Sequence, residues 1–229
     1  DTILNIENLY GSAYGDTLRG NASGNQLYGA AGNDLIYVGT GTASDRVDGG
    51  SGVDGVSYAY AGSRVNVNLN LTTAQATGGS GTDTILNIEN LYGSAYGDTL
   101  SGNASGNQLY GAAGNDILNG MGGNDTLNGG AGLDTFVFNT ALSAMGNKDT
   151  ITDFNVTDDT IQLENAIFTK LTTLGALATA NFCANATGIA TDSNDFICYN
   201  TTTGALSYDA DGSGVGASVA FAVLGTTVH

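Results

Sequence analysis

GSAYGDTLS, GNASGNQLY, GAAGNDILN, GMGGNDTLN and GGAGLDTFV follow one another without a gap over residues 93–137. Aligned, these five nine-residue units place Asp98, Asn107, Asp116, Asp125 and Asp134 at the sixth position. The eighth position holds Leu100, Leu109, Leu118, Leu127 and Phe136. The first six residues of each unit are rich in Gly and poor in bulk, which favours a turn whose carbonyls are free to point inward. The last three are too short for a helix and suit a strand with one inward residue, the eighth, between two outward ones. Two such units make one coil of a flattened roll, so loops 18 residues apart stack on a common edge. That puts Asp98, Asp116 and Asp134 on one edge, with Asn107 and Asp125 on the other.

Stacked carboxylates repel one another unless a cation lies between them. Ca2+ takes about six to eight hard oxygens, of the kind carboxylates and freed backbone carbonyls supply together. The repeats contain no His or Cys, which argues against a soft-ligand transition-metal site. The units follow the pattern G-G-x-G-x-D-x-U-x, and on them the chain resembles the RTX (repeats-in-toxin, haemolysin-type) modules of secreted bacterial proteins. The resemblance implies an all-β fold: a right-handed parallel β-roll, a solenoid filled with several Ca2+ ions, followed by a β-rich C-terminal cap.

Carried over position by position, the expected metal-binding side chains are Asp16, Asn25, Asp34, Asp45, Asp54, Asp83, Asp98, Asn107, Asp116, Asp125 and Asp134. Loop backbone at Gly111, Ala113, Gly114, Gly120, Gly122, Gly123, Gly129, Ala131 and Gly132 completes the set. KDTITDFNVTDDTIQL (148–163) resembles the segment that closes RTX rolls, so Asp149 or Asp153 is expected to supply the last carboxylate to the loop carrying Asp134. Asp158 and Asp159 read as a turn between strands.

A longer repeat contains the short one. Residues 1–36 recur at 83–118 with three changes, Arg19 to Ser101, Leu35 to Ile117 and Ile36 to Leu118. In the first copy, units beginning at Gly11, Gly20 and Gly29 lead into a stretched unit (38–48) with Asp45 and Val47, and then into GGSGVDGVS (49–57). A bulged loop over 38–44 is expected, with a weaker ion site beside it. Over 58–77 the repeat breaks, and Val65, Val67, Leu69 and Leu71 alternate with Asn66, Asn68 and Asn70 as a half-buried strand does. GGSGTDTIL (78–86) restores the phase, and NIENLY (87–92) links into the contiguous units, with Glu89 read as a solvated surface residue. The organisation read from this is a first block with a strand insertion (1–82), a second block (83–137) and a capping region (138–229). In the cap, 173–182 suggests a short helix, while 196–200, 206–210 and 219–224 read as strands. DADGSG (209–214) has half of an EF-hand loop but Ala220 where the bidentate Glu belongs, so a hairpin turn is the better reading.

Nineteen Asp and three Glu against five Lys plus Arg give a net charge of −17. Such a chain repels itself until cations arrive, so folding and metal uptake should be coupled. Nucleic acid is a poor partner for it, since phosphate tracking needs clustered Lys and Arg. No apolar run is long enough to span a membrane. The one His, His229, excludes a zinc protease of the H-E-x-x-H type and leaves a Ser nucleophile without a His base. The carboxylates recur at fixed spacing, as a structural device does, rather than as a pair in contrasting environments, so no enzyme is read here. Cys183 and Cys198 are compatible with a disulfide or with two buried small apolar side chains, the second being the favoured expectation. Asp1-Thr2-Ile3-Leu4 matches the end of a repeat, which suggests a fragment of a longer chain.

Resemblance to RTX proteins further implies export by a type I secretion apparatus, an extracellular or cell-surface location, and folding on extracellular Ca2+. Its export signal would lie at the extreme C-terminus, for which His229 comes early. An adhesive, surface-layer or polysaccharide-binding role is the alternative, with Tyr10, Tyr14, Tyr28, Tyr37, Tyr92, Tyr96 and Tyr110 as a glycan-stacking face. The favoured expectation for these tyrosines is packing beneath the insertion strands.

Overall fold

The computed structural model describes residues 7–143 and 145–225. The repeat end at 1–4 and the terminal His229 lie outside the described residues. The first six strands, β1 (Asn8–Tyr10), β2 (Thr17–Arg19), β3 (Gln26–Tyr28), β4 (Leu35–Tyr37), β5 (Arg46–Asp48) and β6 (Gly55–Ser57), alternate between two facing sheets. An excursion follows, made of β7 (Asn66–Asn68), β8 (Gln75–Gly78) and β9 (Gly81–Leu86). The winding then resumes through β10 (Asn90–Tyr92), β11 (Thr99–Ser101), β12 (Gln108–Ala113), β13 (Ile117–Asn119), β14 (Thr126–Ala131), β15 (Thr135–Phe138), β16 (Asp149–Ile151) and β17 (Thr160–Leu163). The cap holds β18 (Phe182–Asn185), β19 (Ile197–Asn200), β20 (Ala205–Tyr208) and β21 (Val219–Leu224).

One face of the roll is a continuous eleven-stranded sheet, ordered β18-β19-β20-β21-β16-β14-β12-β10-β6-β4-β2. The opposite face is split into two five-stranded sheets, β1-β3-β5-β9-β8 and β17-β15-β13-β11-β7. Roll strands pair in parallel with partners 18 residues away in the contiguous units, as Leu91 with Leu109 and Leu100 with Leu118. The eighth-position side chains fill the narrow interior. Leu27, Ile36, Val47, Val56, Leu91, Leu100, Leu109, Leu118, Leu127 and Phe136 are fully buried, each adding about 1.5–3 kcal/mol of apolar burial. One core runs unbroken from Leu18 to Leu224, so the cap closes the same interior that the repeats build.

The two copies of the long repeat sit on opposite faces. β1 lies in a five-stranded sheet, whereas its copy β10 lies in the eleven-stranded one. An odd number of half-coils separates them, because the excursion takes β7 out of the alternation and β9 returns to the face of β5. At the split, Gln75 acts as a strand would. Its amide accepts from Asn68 N–H (2.8 Å) and donates to Asn68 C=O (3.0 Å). Val65, Val67 and Leu69 are buried as the alternation predicts, but the strand is shorter than expected and Leu71 is exposed.

Three expectations are corrected. No α-helix forms at 173–182, because Gly175 turns left-handed (φ 106°), and only a 3-10 turn, Thr179–Asn181, is present. Cys183 and Cys198 are bonded: β18 and β19 pair with these residues in register, and a Cα–Cα separation of 4.6 Å suits the bridge. The tyrosines do not lie beneath the insertion. Tyr10 stacks on Tyr28 at 4.7 Å and Tyr92 on Tyr110 at 4.8 Å, on the outer faces, since position nine points outward. Tyr37 meets the insertion ring against ring with Tyr60, and the Tyr92 carbonyl accepts from Tyr58 N–H at 2.9 Å.

Candidate metal centre

Each sixth-position residue except Asp83, which lies within β9, precedes a strand, so its side chain lies on the edge where the chain turns. There the backbone N–H of one rung donates to the carboxylate of the rung one coil later. Asp98 donates to Asp116 Oδ1 (2.6 Å), Asp116 to Asp134 Oδ1 (2.9 Å), and Asp134 to Asp159 Oδ1 (3.1 Å). On the edge feeding the continuous sheet, Asp16 donates to Asp34 Oδ1, Asp34 to Asp54 Oδ1, and Asp54 to Glu89 Oε2, at 2.8, 2.8 and 2.9 Å. That edge continues with Asn107 to Asp125 Oδ1 (2.7 Å) and Asp125 to Asp149 Oδ1 (3.1 Å). A third, shorter ladder runs from Asn25 through Asp45 to Asp83, at 2.6 and 3.0 Å. Bonds to a charged acceptor contribute about 1.5–3 kcal/mol each, so the ladders tie successive coils together.

The sequence-predicted side chains therefore come together as edge ladders, with three differences at the ends. Glu89 is a rung rather than a free surface residue; it stands one residue before a strand and 18 before Asn107, a spacing that could have found it. Asp159, expected in a turn, supplies the closing carboxylate to Asp134. Asp149 closes the other edge, and Asp153 instead accepts from Gly129 and Gly130 N–H in the loop that carries Asp134.

One oxygen of each ladder carboxylate is thus used. The second, Oδ2, is buried and without any hydrogen-bond partner at Asp34, Asp54, Asp116, Asp125 and Asp134. These residues are at most 3% exposed, and among the described residues the one salt bridge, Arg46 to Asp48, does not reach them. An orphaned buried anion is costly, so the surroundings must supply a counter-charge. The first Gly of each loop shows what is arrayed around it. A Cβ at Gly111 would lie 2.3 Å from Asp116 Oδ2 and 2.4 Å from the Gly129 carbonyl oxygen. At Gly29 it would meet Asp34 Oδ2 at 2.2 Å and the Gly49 carbonyl oxygen at 2.4 Å. Carboxylate and carbonyl oxygens of neighbouring coils converge there on a space that only hydrogen leaves open. Because no three carboxylates or imidazoles cluster at one point among the described residues, carbonyls must complete any donor set. All-oxygen, mixed carboxylate and carbonyl donors suit Ca2+. When bound, the ion would neutralise the orphaned charge and link adjacent coils.

Burial first, and at some rungs the charge of neighbouring carboxylates, pushes several ladder carboxyls upward. Desolvation raises Asp54, Asp83, Asp98 and Asp134, takes Asp116 to about 6 and takes Asp45 to about 7. Asp125 and Asp149 face each other and both are raised, by burial first and, at Asp149, by the neighbouring negative charge. Burial without a cation thus disfavours the charged form of these groups.

The geometry agrees with the comparisons. The model of the peptidase M10 serralysin C-terminal family matches residues 51–210. The chain belongs to that family. The model of the RTX calcium-binding nonapeptide repeat (4 copies) matches residues 10–43 of this serralysin-type module. No curated protein matches it. Among solved structures it is similar to the extracellular lipase LipA from Serratia marcescens, at 16% identity and a TM-score of 0.26, over 98% of this chain and 38% of that one. The serralysin-type module is an all-β, calcium-binding RTX unit of the kind found in type I secreted proteins.

Proposed function

We propose that this module folds on meeting extracellular Ca2+ and thereby supports type I export and stability of a larger secreted protein, without itself being catalytic. The observation that carries the reading is the set of buried, orphaned carboxylate oxygens at Asp34, Asp54, Asp116, Asp125 and Asp134, in a chain of net charge −17. Where Ca2+ is scarce, the ladders repel and the chain stays open enough to thread. Outside, millimolar Ca2+ fills the loops and the roll closes, in keeping with the weak affinities of extracellular calcium modules. The test is circular dichroism from chelator to about 10 mM Ca2+, which spans the range of such modules. A cooperative gain of β signal is expected, and a β-rich spectrum indifferent to chelator would refute the folding switch. Normal export of a parent protein lacking this region would refute the secretion role.

A second reading draws on the stacked pairs Tyr10–Tyr28 and Tyr92–Tyr110 on the outer faces, which suit CH–π contact with sugar rings. Specific glycan retention in Ca2+ that is lost on Tyr28→Ala and Tyr110→Ala would support it.

A further inference from the structure

Nine of the nine-residue units fall into two conformational classes; GGSGTDTIL (78–86), left-handed at Gly81 but not at Gly79, belongs to neither. In loops 29–34, 49–54, 111–116, 120–125 and 129–134, the fourth residue is Gly with a left-handed backbone: Gly32, Gly52, Gly114, Gly123 and Gly132, at φ 115°, 149°, 126°, 114° and 152°. The second residue is left-handed as well, and three of these are not glycine: Ala30, Ala112 and Met121, at φ 79°, 83° and 70°. Holding such residues there costs about 1–2 kcal/mol apiece, so something must favour the conformation. In loops 11–16, 20–25, 93–98 and 102–107, no residue has a positive φ, and Gly stands at the fifth position instead of the fourth.

The carboxylates follow the same division. All five loops of the first class carry Asp at position six, and these are the five with a buried, unpartnered Oδ2. In the second class the N–H of the second residue turns inward and binds the position-six side chain. Ser12 donates to Asp16 Oδ2 (2.5 Å) and Ser94 to Asp98 Oδ2 (2.5 Å). Asn21 donates to Asn25 Oδ1 and Asn103 to Asn107 Oδ1, both at 2.8 Å. The serine hydroxyls add a second bond to each carboxylate, at 2.9 and 2.8 Å. Two of these four loops carry Asn, an uncharged group, where the first class has only Asp. At Asn107 the amide donates to the Glu89 carbonyl (3.1 Å), presenting hydrogen where an ion ligand would present a lone pair.

We propose that only the first class of loop holds Ca2+, and that GSAYGD and GNASGN are self-capped loops in which Ser or Asn at position two takes the ion's place. This rests on the calcium reading above and narrows it to named rungs. Asp83 obeys the same logic by another route: the insertion covers its Oδ2 with the hydroxyls of Thr77 (2.8 Å) and Tyr58 (3.3 Å). Residues 93–107 then form a coil that is ordered by its own hydrogen bonds, next to loops ordered by the ion.

The test counts ions on the full chain by equilibrium dialysis against Ca2+ and by native mass spectrometry. Asp98→Asn should retain the wild-type number, because Asn107 already fills that role in the same class of loop. Asp116→Asn should lose at least one ion. Ser94→Gly, Tyr96→Gly and Gly97→Asn together turn GSAYGD into GGAGND and should gain at least one; this gain keeps the proposal testable if the Asp116 variant fails to fold. Equal losses in Asp98→Asn and Asp116→Asn, or no gain in the triple variant, would overturn the two classes while leaving calcium binding intact. A wild-type chain that takes up no Ca2+ would overturn both readings.

Discussion

Gly111→Ala isolates the space at a single rung. The backbone of Gly111 lies outside the left-handed region, so the new methyl costs nothing conformationally. It would, however, lie 2.3 Å from Asp116 Oδ2 and 2.4 Å from the Gly129 carbonyl oxygen, where about 3 Å is the closest normal approach. Neither neighbour is a loose side-chain end. Asp116 is held through Oδ1 by Asp98 N–H at 2.6 Å, and Gly129 lies within β14 with its N–H bonded to Asp153 at 3.0 Å. Accommodating the methyl must push two coils apart by several tenths of an ångström. Overpacking of this kind costs about 1–3 kcal/mol, a roughly 5- to 160-fold fall in the folding constant, before any loss of the ion is counted. Gly122→Ala is the matched control, since its Cβ would find nothing closer than Ala104 Cα at 3.8 Å and should stay within about 0.5 kcal/mol of wild type. Urea unfolding in saturating Ca2+, followed by circular dichroism, compares the two. If Gly111→Ala unfolds at the same midpoint as Gly122→Ala, the convergence of oxygens at that point has no energetic role and the reasoning fails.

Other consequences follow from the same structure. Leu118→Ala removes a fully buried side chain from the centre of the strip and should destabilise the loaded roll by about 2–5 kcal/mol, read as a lower urea midpoint. Reducing the Cys183–Cys198 bond, which closes a separation of 15 residues, should cost about 3 kcal/mol and act on the cap alone. Hydrogen exchange would show protection falling over 182–208 with 93–137 unchanged. The pH dependence should reverse with calcium. In chelator, carboxyls raised above their ordinary values, Asp116 to about 6 and Asp45 to about 7, favour the fold when protonated. That contribution is complete below about pH 4 and is lost as pH rises through about 6 to 7. With Ca2+ present, acid competes with the ion and weakens the fold. Circular dichroism at pH 5 and pH 8, with and without chelator, would show opposite signs.

The nine-residue period, legible in one reading of 93–137, carries most of the fold. A strand of three with one inward Leu allows no helix, and a Gly-rich turn every nine residues forces the flattened coil, so the ladder partners of Asp116, at 98 and 134, follow from spacing alone. Burial of Leu100, Leu109, Leu118 and Leu127 follows from the same alternation. What spacing could not reach were the places where the period is broken. Asp149 and Asp159 are rungs because the chain returns to the edges beside Asp125 and Asp134 after irregular intervals, and the tertiary path sets those intervals. The bond between Cys183 and Cys198 needed the parallel register of β18 and β19. The excursion through β7, β8 and β9 decides that two identical stretches, 8–10 and 90–92, face opposite sides, because local sequence carries no count of half-coils. Above all, the sequence by itself determined that acidic residues would stack along the edges of a roll. Only the three-dimensional turn decided which carboxylate oxygens are satisfied by their own loop and which are left for a cation, since that depends on where one backbone N–H points.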